Sequence, residues 1–540
     1  MMKKNAWIST GLLCLSWIAA ALLVGFRGDF PLNDDWQYAY PVQQLVEQGQ
    51  LKMMGYFSPN ILLQVYWGAL FCELPGGFSF EHLRISTWVA AGLGGLAVYQ
   101  ILRSLGKPQS LALLGTSAVL FSPMYFHLSF SFMTDVPFLA VVLWAAWAAL
   151  RFQQQRSGGW LALFAGLSIL AYLNRQPGVL LLPALAGWYV LDQRARLHSW
   201  VWLLISLLAA AGIYLGYERL AKPALGIADN FLPVSDQLLG ELLADPLHNL
   251  SEMARRALKS WVYLGFFSLP LIPFLLDPIR RTGILRTRPL LVVLLANGVL
   301  LAAQYAVGKN FPYGGNILYN WGLGPELLAD VYTLGLSRNT PQYPLPLMVG
   351  TGYLSQLSAT VLSVLAWQRW RVLQPSHRAF FTFLLLLNAG NFLVMSVTAF
   401  FDRYILLSVL SALLFFTTFV EKPKPLRRYL LLLVFGLFSL LATRDYLAWN
   451  RARAQAYEWL QEKGVGIRQM DAGYEYNGWY NYQRERQEVP GQSWWWVNDD
   501  RWMIAFGPVP GYRELQRFPF RRWLWAGQQD DIFVLERQER

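Results

Sequence analysis

Thirteen times along its length the chain enters an apolar run of 14 to 22 residues: 7–26, 83–102, 109–123, 136–150, 160–174, 178–191, 200–217, 260–276, 290–306, 346–367, 379–400, 404–420 and 429–443. A helix of about 20 apolar residues matches the roughly 30 Å hydrocarbon layer of a bilayer. Shorter runs reach across by extending into the interface or by thinning the bilayer locally. A water-soluble domain needs charge on its outside. Here charged residues make up only 14% of 540 positions, and mean hydropathy is +0.30. That charge content is about half the usual level. The 24 Trp and 26 Tyr suit membrane–water interfaces. The runs therefore predict an α-helical polytopic membrane protein of about 13 spans, within a range of 12 to 14.

The net charge of +12 does not point to nucleic acid, because the basic residues lie in short loops and the tail rather than in one stripe. With Lys3 and Lys4 placed in the cytoplasm, alternation puts seven short segments on that side. They hold 19 of the 45 Lys and Arg in 61 residues, with three acids. This bias sets the expected orientation, N-terminus in the cytoplasm and C-terminus outside. The first run lacks a clear small-residue cleavage site and reads as a retained helix. Cys14 and Cys72 make no disulfide framework, and the five histidines make no metal cluster with them.

The bulky loops then fall on the outer face: 27–82, 218–259, 307–345 and the tail. Residues 1–445 are expected to form the membrane domain and 446–540 a small soluble α/β domain against its outer face. In that tail Tyr446 to Lys463 reads as an amphipathic helix closed by Gly464. GIRQMD, RWMIAF and DIFVLER read as short strands, with turns at AGYEYNG and PVPGY. Nine of the 24 Trp lie in the tail, and its SWWWVNDDRW segment either packs on the membrane domain or contacts an acceptor glycan.

Polar residues stand out against this background. FPLNDDWQYAYPVQQLVEQG, residues 30–49, follows the first run directly and presents Asp34 and Asp35 at the outer interface. Asn33 or Asp34 suits the cap of a helix whose aromatic face, with Tyr38, would lie on the membrane surface. A cap in a solvated turn accounts for the pair alone. Asp135, in TDVPFLA, stands at the outer end of the fourth run, where a Thr-Asp start with Pro137 in the first turn also explains it as a helix start. Two sets of acids at one depth are what a transferase acting on lipid-borne substrates needs. They would also suit one divalent cation.

Three arginines share that face: Arg84 in FEHLRISTW, Arg175 in the polar break YLNRQPGVLLLP, and Arg403 in FFDRYILLS. The planar guanidinium suits phosphate, while headgroup contacts or helix-end anchoring are the plainer roles. Ionisable residues at such breaks commonly mark function. His127 would suit a general base or a ligand, though a lone histidine among aromatics is more often structural. KNFPYGGNILYNWGLGPELL, with Tyr313 and Asn316, suits a substrate-binding loop or a Gly-shaped turn packed on the helices.

In order, NDDWQY, LVEQGQL, FSPNILLQVYWGALF, RISTWVAAGLGGLAVYQILRSLGKP, TDVPFLA, LNRQPGVLLLP and RYILLSVL resemble the C-type integral-membrane glycosyltransferases over roughly residues 8 to 420. Within them they are most similar to bacterial relatives of protein mannosyltransferases and aminoarabinose lipid A transferases. The resemblance implies a bacterial inner-membrane enzyme that moves a sugar from a polyprenyl-phosphate donor to a lipid, glycan or protein acceptor on the outer face, usually with inversion. It implies no obligate cofactor. It places the general base at Asp34, with Asp35 where many members carry Glu, a second acid at Asp135 and a donor-phosphate contact at Arg175, and it matches Arg403 to a late Arg-Tyr motif, where phosphate binding is also expected. Some members carry Lys-Pro-Pro where this chain has Phe57-Ser58-Pro59-Asn60, so a lysine contact is not carried over and Arg84 is left as its substitute. The competing functions are a transporter or flippase, and a scaffold without catalysis. Neither repeated halves nor broken midplane helices favour the transporter.

Overall fold

The computed structural model describes residues 2–54, 60–192, 197–225, 240, 244–308, 311–319, 322–336, 344–397, 400–421, 425–482, 495–525 and 527–538. Each of the thirteen apolar runs falls on helix. Eight helices are long and apolar enough to cross a membrane: Phe80–Ser104, Asp135–Gln155, Trp200–Ala224, Pro246–Arg281, Thr287–Ala306, Leu345–Val372, Pro375–Ser396 and Leu426–Glu462. Shorter apolar helices include Thr10–Val24, Leu62–Cys72, Gln109–Leu120 and Gly158–Tyr172.

The helices divide by what they touch. Thr287–Ala306 fully buries Asn297 alone and leaves Leu291, Val292, Leu295 and Val299 exposed, an apolar face suited to lipid. Leu406–Thr417, at 12 residues, instead buries Leu406, Leu407, Val409, Leu410 and Leu413. At 1.5 Å per residue it spans only about 18 Å, and its apolarity serves the protein core.

The C-terminal unit holds a four-stranded sheet in the order Met470–Asp471, Trp502–Ala505, Gln528–Arg537, Tyr512–Arg522. The first pair is parallel and the rest antiparallel. Tyr512–Arg522 is a strand beyond those expected, directly following PVPGY. AGYEYNG, expected as a turn, instead enters the helix Tyr474–Asn481. Its Gly478 is set by packing rather than by turning: a Cβ there would meet the Trp36 ring at 2.6 Å. The helix expected from Tyr446 is the far half of Leu430–Glu462, 33 residues without a break. It ends before Gly464, whose φ of +79° suits a residue lacking a side chain.

The acid segment also forms its helix, Asp35–Gln48, closed by Gly49 in the left-handed region. Its aromatic face does not lie on the membrane surface. Trp36 is fully buried against Tyr474, Tyr482 and Trp496 of the C-terminal unit. An amphipathic face needs an apolar partner, and here the partner is protein. Trp495 and Trp496 of the tail are buried in this same cluster, so both pack.

Candidate active site

Four loops meet where the helix Asp35–Gln48 begins. The segment 25–34 leaves the first helix, 129–134 precedes Asp135–Gln155, 173–176 is the polar break, and 400–403 precedes Leu406–Thr417. Polar side chains fix these loops to one another. Asn174 donates from Nδ2 to Thr134 O at 3.2 Å, and Gln64 donates to Phe132 O at 2.6 Å. Asp402 accepts from the backbone N–H of Ile317 (3.0 Å), Leu318 (2.7 Å) and Arg403 (2.8 Å). These bonds tie the strip 317–318 to the start of the Arg403 segment, and the donors partly offset the burial that raises the Asp402 carboxyl.

Two acid–arginine pairs stand together in the space so enclosed. Arg403 Nη2 donates to Asp34 Oδ2 at 2.8 Å. Arg175 Nη1 donates to Asp135 Oδ1. The second oxygen of Asp34 accepts from the Tyr474 hydroxyl at 2.8 Å. Arg403 Nη1 lies 4.0 Å from Met133 Sδ, beside the start of the Asp135 helix. Tyr38 is buried among all four charges and interacts electrostatically with each, and burial raises the pKa of its phenol. Arg175 and Arg403 both stack near the Tyr404 ring, at 5.6 and 5.5 Å. Asp34, Tyr38, Asp135, Arg175 and Arg403 are thus one cluster, drawn from residues up to 369 apart in sequence. Two atoms in it, Asp135 Oδ2 and Arg403 Nε, are buried without a hydrogen-bond partner.

Asp34 occupies the cap position of its helix but makes no side-chain cap. Its carboxylate is turned into the cluster, so the capping role weighed from the sequence does not account for it. Asp35 points elsewhere. It is wholly buried and accepts from Leu32 N (2.6 Å) and Phe132 N (3.3 Å). Burial pushes its carboxyl up to about 7, against the pull of Arg84. Arg84 is also wholly buried, donating to Phe26 O (3.1 Å), Gly28 O (2.7 Å) and Phe30 O. These two residues staple the strip 26–32 in place.

Tyr313 donates to Gln304 Oε1 at 2.8 Å among Tyr263 and Phe311. Asn316 sits in the loop that Asp402 anchors. Among the described residues no hydrogen bond or ion pair joins Asp35, Arg84, Tyr313 or Asn316 to the cluster. His127 is buried, with Nδ1 3.4 Å from Thr443 Oγ1 and its ring against Tyr446, a packing position. Among the described residues no three of His, Cys, Asp and Glu gather as a metal site. Phe57, Ser58 and Pro59 lie outside the described residues.

Four residues of this region escaped the sequence. Asp402 carried a signal, an acid inside FFDRYILLS beside Arg403. Tyr474, Glu475 and Arg453 carried none. Their partners are as far as 442 residues away in the chain.

A family model described as dolichyl-phosphate-mannose-protein mannosyltransferase matches residues 62–216, which include Asp135 and Arg175. No curated protein matches the chain. Among solved structures, ArnT from Cupriavidus metallidurans bound to undecaprenyl phosphate is 13% identical, with a TM-score of 0.39, over 99% of this chain and 98% of that one. The same protein in the apo state gives 14% identity and a TM-score of 0.39, with 98% of each chain covered. Over residues 62–216, then, the family resemblance read from the sequence is borne out, and the chain is similar there to the dolichyl-phosphate-mannose-protein mannosyltransferases.

Proposed function

We propose that the chain is a membrane glycosyltransferase that moves a sugar from a polyprenyl-phosphate donor to a hydroxyl of a lipid, glycan or protein acceptor. The observation that carries this is the pairing of two carboxylates with two arginines at the helix ends. The four charges cancel, so a phosphate entering among them adds negative charge that only the arginines can balance. Guanidinium binds phosphate with two parallel hydrogen bonds. Arg403 and Arg175 turning toward the phosphate would loosen their hold on Asp34 and Asp135. Asp34, left on the Tyr474 hydroxyl, becomes free to accept a proton.

In the step itself the acceptor oxygen attacks the anomeric carbon. Its proton passes to Asp34, the bond from that carbon to the phosphate oxygen breaks, and polyprenyl phosphate departs with the electron pair. A positioned base contributes about 10²–10⁴ to such a step. The arginines stabilise the charge that develops on the phosphate, with no metal needed in that role. Attack from the face opposite the phosphate gives inversion. The lipid tail stays in the bilayer while its headgroup reacts at the interface, which suits residues at the ends of apolar helices. The density of Lys and Arg in the short loops supports an orientation with the site and the C-terminal unit outside, and the resemblance read from the sequence implies a bacterial inner membrane. Asp34→Asn in nanodiscs tests the reading: release of polyprenyl phosphate from polyprenyl-phosphate sugars should fall by about 10²–10⁴. Undiminished release from the folded variant would remove Asp34 as base, and a scaffold would show no release at all.

A further inference from the structure

We infer that Tyr474 and Glu475 of the C-terminal unit are positioning residues for Asp34, so that the soluble unit forms a wall of the reaction site. The inference rests on the glycosyltransferase reading above. Asp34 has two oxygens and two neighbours: Arg403 from the membrane helices holds Oδ2, and Tyr474 holds Oδ1 at 2.8 Å. If the first partner turns to a phosphate, only the second keeps the carboxylate in place.

Glu475 acts on the backbone that carries Asp34. Its Oε1 accepts from Asn33 N at 3.1 Å. Asn33 has a φ of +51°, in the left-handed region that asparagine tolerates better than most residues. Glu475 Oε2 accepts from Arg453 Nη1 at 2.6 Å, in a pair with no exposure on either side. Arg453 in turn donates to Pro31 O (3.2 Å) and Asn450 Oδ1 (2.6 Å). Residues 31, 33 and 34 are thus each held by a different group of the C-terminal region. A buried ion pair of this sort stabilises little by itself, because desolvation offsets its attraction. Fixing one geometry is a role that fits its cost.

The Trp36 cluster sets the distance. Trp36, two residues after Asp34, packs at 5.2 Å from Trp496 and 6.0 Å from Tyr474. Gly478 admits the close approach of its helix. Tyr474→Phe keeps this ring packing and removes only the hydroxyl.

The test uses the full chain in nanodiscs, with the undecaprenyl-phosphate sugar that the wild type turns over. Tyr474→Phe should lower kcat about tenfold, in keeping with one hydrogen bond to a charged group, and leave KM for the donor within about twofold. Glu475→Gln should lower kcat in the same way. In an Asp34→Asn background, Tyr474→Phe should have no further effect on residual turnover, because both changes act through one group. Hydrogen exchange across residues 30–40 should rise in both single variants while the membrane helices stay unchanged. Exchange needs no donor and decides the matter even where turnover is absent. Wild-type exchange at 30–40 in both variants, or a tenfold loss that persists in the Asp34→Asn background, would overturn the inference. Undiminished turnover in Asp34→Asn with raised exchange in Tyr474→Phe would instead overturn the assignment of the base and leave the positioning intact.

Discussion

Ion pairs occur at both ends of the helix bundle, but the nearly or wholly buried ones gather at one end, beside exposed pairs such as Arg513 with Glu536. Where Asp135–Gln155 begins, Arg403 and Asp34 are 7% and 15% exposed, and Arg453 and Glu475 are not exposed at all. That helix is 21 residues long, about 30 Å. At its other end Arg156 pairs with Asp192 at 43% and 33% exposure, and Arg281 with Glu421 at 60% and 36%. The pairs at the far end are ordinary surface contacts, worth about 0–1 kcal/mol. Burying charge without need is selected against, because each ion loses its hydration. The contrast supports placing the proposed chemistry at the first of these ends, without appeal to any family likeness.

The comparison breaks or sharpens by experiment. The largest effect is expected for Asp34→Asn, a fall in kcat of about 10²–10⁴ with an unchanged fold by circular dichroism. Next come Arg175→Lys and Arg403→Lys. Each keeps the charge but loses the planar fork, and donor KM should rise about tenfold, measured by release of polyprenyl phosphate.

A smaller effect concerns stability. Burial pushes both Asp35 and Asp330 up to about 7 from 3.8. The folded chain therefore binds protons in this window that the unfolded chain has released. Their stabilising effect is full below about pH 4 and is lost as pH rises through about 7. Thermal unfolding in detergent should show a falling midpoint across that range, and the double variant Asp35→Asn, Asp330→Asn should flatten it. The smallest effect is for Arg156→Ala at the far end, a change of at most about 1 kcal/mol. A larger loss there would erase the distinction between the ends.

Much of this was legible in the sequence, for physical reasons. A long apolar run in a chain poor in charge has few alternatives to a helix. A charge that interrupts such runs is conspicuous, which is why Asp34, Asp135, Arg175 and Arg403 stood out. What stayed hidden depended on orientation or distance. Asp34 and Asp35 are adjacent, and about 100° of helical rotation separates a carboxylate in the cluster from one buried as a staple. Trp36 and Tyr38 gave an aromatic face without naming what covers it. Gly473 and Gly478 suggested a turn, because close packing against a ring 442 residues away, that of Trp36, leaves no local mark.

The unbroken helix Leu430–Glu462 has a consequence for how this chain tolerates change in length. It runs for about 50 Å. Its apolar part packs in the bundle, while Arg451 donates to Val24 O (3.1 Å) and Gly25 O (3.0 Å) and Arg453 reaches Pro31 O (3.2 Å). The helix therefore sets a phase. One residue inserted between Asp445 and Arg451 would turn everything beyond it by about 100° and advance it by about 1.5 Å. Arg451 and Arg453 would face away from the strip they hold, and the whole C-terminal unit would swing with them. Seven inserted residues would nearly restore the angle, at 3.6 per turn, but would lift the unit by about 10 Å. The permitted number of residues in this rod is thus fixed by rotation and height together, far more tightly than in a loop.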